Sequence, residues 1–504
     1  MLTRLKVHGF KNLANVDVCF GPFTCIAGVN GVGKSNLFDA ITFLSALAHQ
    51  PLMEAAKSVR DERNRTTDVR SLFLKVGNEH VDEMTFEAEM LVAPTGHDDL
   101  GQTAKAAITF LRYTLELRYR RDEELPSAER LEITKEDLRH VKVDDARKHL
   151  LFRHTPAWRT SVARGRRSAP FLSTEEDERD KEGKDRRITL HQDGRSGRPR
   201  PYLASSLPRT VLSSANAVES PTALLARREM QSWRRLQLEP SALRNSDSFS
   251  APMHIGVDGS HLASTLHHLA RKDAGNGEPH GDSNSVCVRV ANQLSALVED
   301  IREIRVDVDR QRELLTLEVV DRDGNLHAAR ALSDGTLRFL ALAILEMDPE
   351  AQGLLCFEEP ENGVHPERIS SMLRLLKELS VDTEEAVGPD NPLRQVIVNT
   401  HSPAVVALVE DNDLLVAEPQ QTEIDKKPCR VVAFSWLSDT WRHVAFPDRR
   451  TVSRGTLGAY LNPFAYAETT EEVSDGARRR KSPKRRRVKD RDDLQTLLAF
   501  LQDE

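Results

Sequence analysis

The run GVNGVGKS at residues 28–35 constrains this chain more tightly than any other feature. Before it, FTCIA at 23–27 is an apolar run of strand type; after it, Leu37, Ile41, Leu44 and Leu47 recur at helical spacing. A buried strand, a glycine turn and an amphipathic helix in that order are the context that a phosphate-binding loop of this spacing requires. Gly28, Gly31 and Gly33 let backbone N–H groups turn inward on a phosphate chain. Lys34 then reaches the outer phosphate oxygens, and Ser35 offers its hydroxyl to magnesium.

A second stretch, ALSDGTLRFLALAILEMDPEAQGLLCFEEPENGVHP at residues 331–366, carries three chemical instructions. Ser333 and Gly335 sit in a small polar turn that opens a helix over 337–346, where backbone N–H groups and a hydroxyl can meet an anion. The run GLLCF at 353–357 reads as a buried parallel strand, and it ends in Glu358 and Glu359. Open parallel sheets bind ligands at the C-terminal ends of their strands, so paired carboxylates there suit a metal ion and a water nucleophile. A third apolar run, QVIV at 395–398, ends in NTHSP and places His401 where it can contact a γ-phosphate.

Elsewhere the pattern is less specific. Segments 84–90, 110–117 and 130–133 alternate like antiparallel strands with one wet face. Charged clusters and prolines over 144–210 predict loops and partial disorder; helices are expected at 224–236, 260–269 and 288–304, with a linker at 273–285. A hairpin is expected from 306–309 and 314–320, and short strands at 413–417 and 430–433. His267 and His268 are adjacent and diverge on a helix, so they make poor metal ligands. The expected division is an N-terminal lobe at 1–143, an insertion at 144–285, a C-terminal lobe at 286–440 and an extension at 441–504.

Composition excludes several classes. With 39% apolar and 30% charged residues and a net charge of −7, the 504-residue chain reads as a well-solvated globular protein that does not coat nucleic acid wholesale. Its five cysteines show no CxxC spacing and read as reduced core residues, and no apolar run is long enough to span a bilayer. A cytoplasmic protein without a membrane partner is expected. The cationic run within 478–491 is suited to DNA or an acidic protein, ahead of a short helix at 494–501.

Taken in order, residues 28–35, the 332–335 turn, the strand into Glu358 and Glu359, and THSP at 400–403 resemble the ABC-type ATPases of the SMC, RecF and OLD group. HGFKNL at 8–13 is similar to that group's N-terminal strand motif. The resemblance implies an ABC-type P-loop fold: a mixed or parallel core sheet, an antiparallel side sheet and a helical insertion. It implies ATP and Mg2+ on a Walker A loop whose residues include Gly28, Asn30, Gly31, Gly33, Lys34, Ser35 and Asn36. By the same resemblance, Glu358 and Ser35 hold the metal, Glu359 is the catalytic base and His401 the switch. Ser333 and Gly335 then belong to a signature loop that completes a second copy's site in a head-to-tail ATP sandwich, making the chain a homodimer or higher homo-oligomer.

Departures narrow the family reading. Glu358 replaces the usual aspartate, while Asp334 and Thr336 replace the second glycine and the glutamine of the transporter signature. No sustained heptads fill the chain between Ser35 and Ser333, which argues against a long coiled coil. The run LLVAE at 414–418 faintly suggests a Toprim strand, but no glycine follows and no DxD strand is evident. The resemblance therefore implies an OLD-like, stand-alone ATPase of an anti-phage defence system, controlling a separately encoded nuclease of Toprim type. The alternative is a RecF/SMC-like DNA-repair or chromosome-maintenance ATPase that clamps DNA; a transport motor comes third.

Overall fold

Six strands form the sheet on which the site is built, in the order Arg234–Leu236, Gly353–Glu358, Arg394–Thr400, Phe23–Ala27, Leu414–Ile424 and Lys427–Ser435. The first five run parallel, and the last pairs antiparallel with its neighbour. The computed structural model describes residues 1–59, 68–121, 129–176, 186–193, 199–273, 285–295, 298, 301–424 and 426–452. The basic run at 478–491, the expected helix at 494–501 and much of the charged clusters near 180 and 197 lie outside the described residues.

The central strands are buried along almost their whole length, as a parallel sheet covered on both faces requires. Helix Lys34–Leu47 packs its buried residues, including Leu37, Phe38, Ile41 and Leu44, into the principal core. There Phe10, Phe43 and Phe86 meet with ring centroids 5.5–5.9 Å apart. Phe10 and Phe86 belong to a second sheet of eight antiparallel strands, in the order Arg200–Leu203, Arg186–Leu190, Leu172–Glu176, Glu129–His140, Phe110–Arg121, Glu83–Leu91, Leu2–Phe10 and Leu13–Cys19. Buried Gln395 stitches the two sheets together: its Nε2 donates to the carbonyls of Leu2 and Gly21, and its Oε1 accepts the Leu2 N–H.

This architecture is the expected α/β fold with a parallel-containing core sheet and an antiparallel side sheet. Helices Leu262–Asp273 and Ser285–Ser295 pack on a small sheet that includes the hairpin Ile301–Asp309 and Leu314–Asp321. Among the described residues no helix is long and apolar enough to cross a membrane.

Three local expectations fail. The stretch 144–210, expected as loops, supplies three strands to the antiparallel sheet, with Glu175, Glu176, Arg186 and Arg200 at exposed positions. The helix expected over 224–236 ends at Gln231, and Arg234–Leu236 instead pairs parallel with Gly353–Glu358. Leu225 and Met230 on the helix, Trp233 in the connection and Leu236 on the strand mimic a helical stripe because all four are buried. The helix expected over 288–304 likewise occupies Ser285–Ser295, and residues 301–304 extend the hairpin, where cross-strand bonds outweigh local periodicity.

Candidate active site

Lys34 opens helix Lys34–Leu47, and the preceding Gly33 has φ 113°, a conformation that favours glycine. A β-carbon on Gly33 would lie 2.3 Å from the Asn12 amide. Asn12 braces the loop: its Nδ2 donates to Val32 O at 2.9 Å, and its Oδ1 accepts from Asn36 Nδ2 at 2.8 Å. The N-terminal HGFKNL motif is thus a mechanical support for the glycine loop. Asn12 was absent from the sequence candidates, and only its place in that motif signalled it.

Lys34 is 6% exposed, and its Nζ donates to Gly28 O at 2.5 Å and Val29 O at 3.1 Å. Burial lowers its pKa, while the charges of Glu359, Glu361 and Glu358 oppose that shift. Asn30 and Gly31 are exposed at the crest of the loop. Ser35 lies one position further along the helix.

The adjacent glutamates diverge. Glu358 ends its strand and accepts from Arg235 Nη2 at 2.6 Å, with Asn399 Nδ2 3.5 Å from its other oxygen. Arg235 also reaches Asp39 at 3.3 Å, and Asp39 binds Lys11 at 2.7 Å, so a line of alternating charge joins the glutamate strand, the lysine helix and the N-terminal motif. Helical periodicity over 224–236 conceals Arg235, which only the strand pairing sets against Glu358.

Glu359 turns the opposite way because its backbone is left-handed, at φ 43°. That conformation costs a non-glycine residue about 1–3 kcal/mol and needs compensation. The Glu359 N–H donates to both the backbone and the side-chain oxygen of Asn399, at 3.1 and 3.0 Å. Its carboxylate meets His401 Nδ1 at 2.7 Å and accepts from Asn362 Nδ2 at 2.9 Å. Burial pushes the carboxyl up, but the hydrogen bonds from Asn362 and His401, with the His401 and Lys34 charges, leave it below the usual glutamate value.

Glu361, also missed, is buried and accepts the Thr400 hydroxyl, while burial raises its pKa. Thr400 accepts the Ser402 N–H at 2.9 Å, so Glu361 and Thr400 brace the turn that carries His401.

Register explains the convergence: Glu358 is opposite Asn399, and Thr400 is opposite Ala27, at the C-terminal ends of three neighbouring parallel strands. Lys34, Glu358, Glu359 and His401 gather there. Ser333 and Gly335 do not join them. Ser333 caps helix Asp334–Met347, its Oγ accepting the Thr336 N–H at 3.2 Å, and with Gly335 it lines a separate cavity of about 450 Å³.

No cluster of three or more His, Cys, Asp or Glu side chains suited to a metal occurs among the described residues. Of the two expected magnesium ligands, Glu358 is paired with Arg235 and Ser35 lies in the first turn of its helix.

Residues 23–407 match the family described as "AAA domain, putative AbiEii toxin, Type IV TA system". Among curated proteins none matches the chain. Solved structures similar to it include an SMC head bound to the C-winged helix domain of ScpA, at 15% identity and TM-score 0.42, covering 86% of this chain and 98% of that one. The SMC head domain from Thermotoga maritima is 13% identical at TM-score 0.35, with 87% and 99% covered. An SMC head with an extended coiled coil, bound to the C-terminal domain of ScpA derived from Pyrococcus furiosus, is 13% identical at TM-score 0.39, with 86% and 96% covered. The sequence match spans most of the chain and carries the assignment: the chain belongs to this AAA-domain family.

Proposed function

We propose that the chain hydrolyses ATP between Lys34 and the Glu359–His401 pair, and that two copies sandwich two nucleotides head to tail. The observation that carries the reading is the 2.7 Å contact between Glu359 and His401 at the strand ends beside the glycine loop. Lys34 exchanges the carbonyls of Gly28 and Val29 for the β- and γ-phosphate oxygens. Glu359, ionised at neutral pH, orients a water for in-line attack and accepts its proton; His401 and Asn362 hold the carboxylate in place. Ser35 and Glu358 would hold Mg2+, which supplies charge neutralisation on the phosphates when bound. Ser333 and Gly335 line a cavity apart from Lys34, Glu359 and His401, which supports their service to the second copy's nucleotide.

In this reading Glu359→Gln retains ATP binding and lowers kcat by ~10²–10⁴-fold, while Lys34→Ala loses binding. An unchanged rate in Glu359→Gln, measured by phosphate release, removes Glu359 from the chemistry.

The wider role we propose is the sensor and scaffold of an anti-phage defence system whose effector is a separately encoded, Toprim-type nuclease. The family's toxin–antitoxin description supports this class of role. Cells carrying the chain with its neighbouring reading frame should resist phage, and Glu359→Gln should abolish resistance. Protection by the chain alone would remove the separate effector.

A further inference from the structure

We propose that Arg368 contacts nucleotide in trans: one copy of the chain presents it to the γ-phosphate held on Lys34 of a second copy. The inference rests on the trans reading of Ser333 and supplies a charge which that reading lacks.

The 450 Å³ cavity is lined by Ser333, Gly335, Gly363, Val364, His365 and Arg368, with Phe339 behind them. Gly335 and Gly363 form part of its wall, and a β-carbon on Gly335 would come 3.3 Å from Gly363 O. The space is at the small end of ligand sites, which run to ~300–1,000 Å³, and suits the terminal phosphates of a nucleotide better than its base and sugar.

Three arginines approach this corner of the fold, and two are engaged. Arg244 donates to the Asp334 carboxylate and, at 3.1 Å, to Leu332 O. Arg338 donates to the carbonyls of Pro360, at 3.4 Å, and Asn362. Arg368 is half-buried, and its guanidinium has no hydrogen-bond or ion-pair partner among the described residues. The nearby acids are directed elsewhere: Asp334 to Arg244, and exposed Glu367 toward His365 at 3.6 Å.

A half-dehydrated guanidinium with no acid beside it is best satisfied by an anion, and its planar fork matches phosphoryl oxygens. Lys34, Glu359 and His401 do not line this cavity, so the anion that enters it is not the one on the same chain's loop. During hydrolysis the water oxygen bonds to the γ-phosphorus, the bond to the β–γ bridging oxygen breaks, and ADP leaves with that electron pair. Glu359 of the nucleotide-holding copy takes the water's proton. Arg368 forms no covalent bond; its charge balances that gathering on the phosphoryl oxygens.

The test is complementation between two impaired variants. Arg368→Ala alone should lower kcat at least ~10²-fold while changing ATP binding little. Co-expressing Arg368→Ala with Glu359→Gln under two affinity tags isolates mixed dimers. In such a dimer the Arg368→Ala copy keeps its own Glu359 and receives Arg368 from its partner, so one site is complete and about half the wild-type rate returns. Mixed dimers of Ser333→Ala with Glu359→Gln serve as the reference for the trans reading.

Restoration by both mixtures supports the proposal. Restoration with Ser333→Ala but not with Arg368→Ala overturns it and leaves the trans reading intact. Failure of both, or failure to recover mixed dimers, overturns the reading and the proposal together. A full rate in the Arg368→Ala homodimer overturns the proposal directly. If Arg368→Ala does not fold, Arg368→Gln keeps the side-chain stem and is read the same way.

Discussion

Replacing Arg235 by Met removes the cation facing Glu358 while keeping most of the apolar stem. The pair is 2.6 Å long, with Arg235 23% and Glu358 14% exposed, and Arg235 also reaches Asp39, which is 1% exposed. Truncating one member of a fully buried pair costs ~3–5 kcal/mol, whereas surface pairs are worth ~0–1 kcal/mol. This pair lies between those limits. Asp39 also retains Lys11 at 2.7 Å, so the variant should lose ~2 kcal/mol, mostly from an unpaired Glu358. Adding Glu358→Gln should recover part of that loss, giving a coupling of ~1–2 kcal/mol in a double-mutant cycle. The assay is urea unfolding across the first cooperative transition, with and without Mg·ATP. Bound metal restores positive charge at Glu358, so Mg·ATP should stabilise Arg235→Met more than the parent chain. A coupling below ~0.3 kcal/mol would refute the electrostatic role of the pair.

Asn12→Ala should raise the KM for ATP several-fold with a smaller change in kcat, because it frees the loop at Val32 and strands the Asn36 amide; steady-state kinetics showing an unchanged KM would remove its bracing role. Glu136 is fully buried and accepts from Val211 N–H at 2.7 Å, Leu212 N–H at 2.9 Å and the Tyr113 hydroxyl at 3.1 Å. Burial outweighs these bonds and raises its pKa from 4.5 to about 7. The folded chain therefore binds the extra proton between those values. The stabilisation from this proton is fully present below the unfolded value and is lost as pH rises through the folded one, with a size on the order of 3 kcal/mol. Thermal unfolding of Glu136→Gln should show a flatter profile over that window, and an equally steep profile would exclude Glu136 as the source.

Periodicity and turn chemistry made the frame of the site legible. Residues 23–35 could be read because a buried strand, three glycines and an amphipathic helix are local signals that need no distant partner. The strand into Glu358 and Glu359 was legible for the same reason. Other features depended on contacts between segments hundreds of residues apart. Residues 234–236 are an edge strand only because Arg235 pairs beside Cys356, and that pairing sets Arg235 against Glu358. Sequence adjacency suggested that Glu358 and Glu359 work as a pair at one spot. The left-handed backbone of Glu359, held by Asn399, sends one carboxylate to Arg235 and the other to His401. The sequence by itself thus determined which residue types reach the strand ends and in what order. Tertiary structure alone decided their partners, because interstrand register and side-chain direction arise from hydrogen bonds and packing that no local window contains.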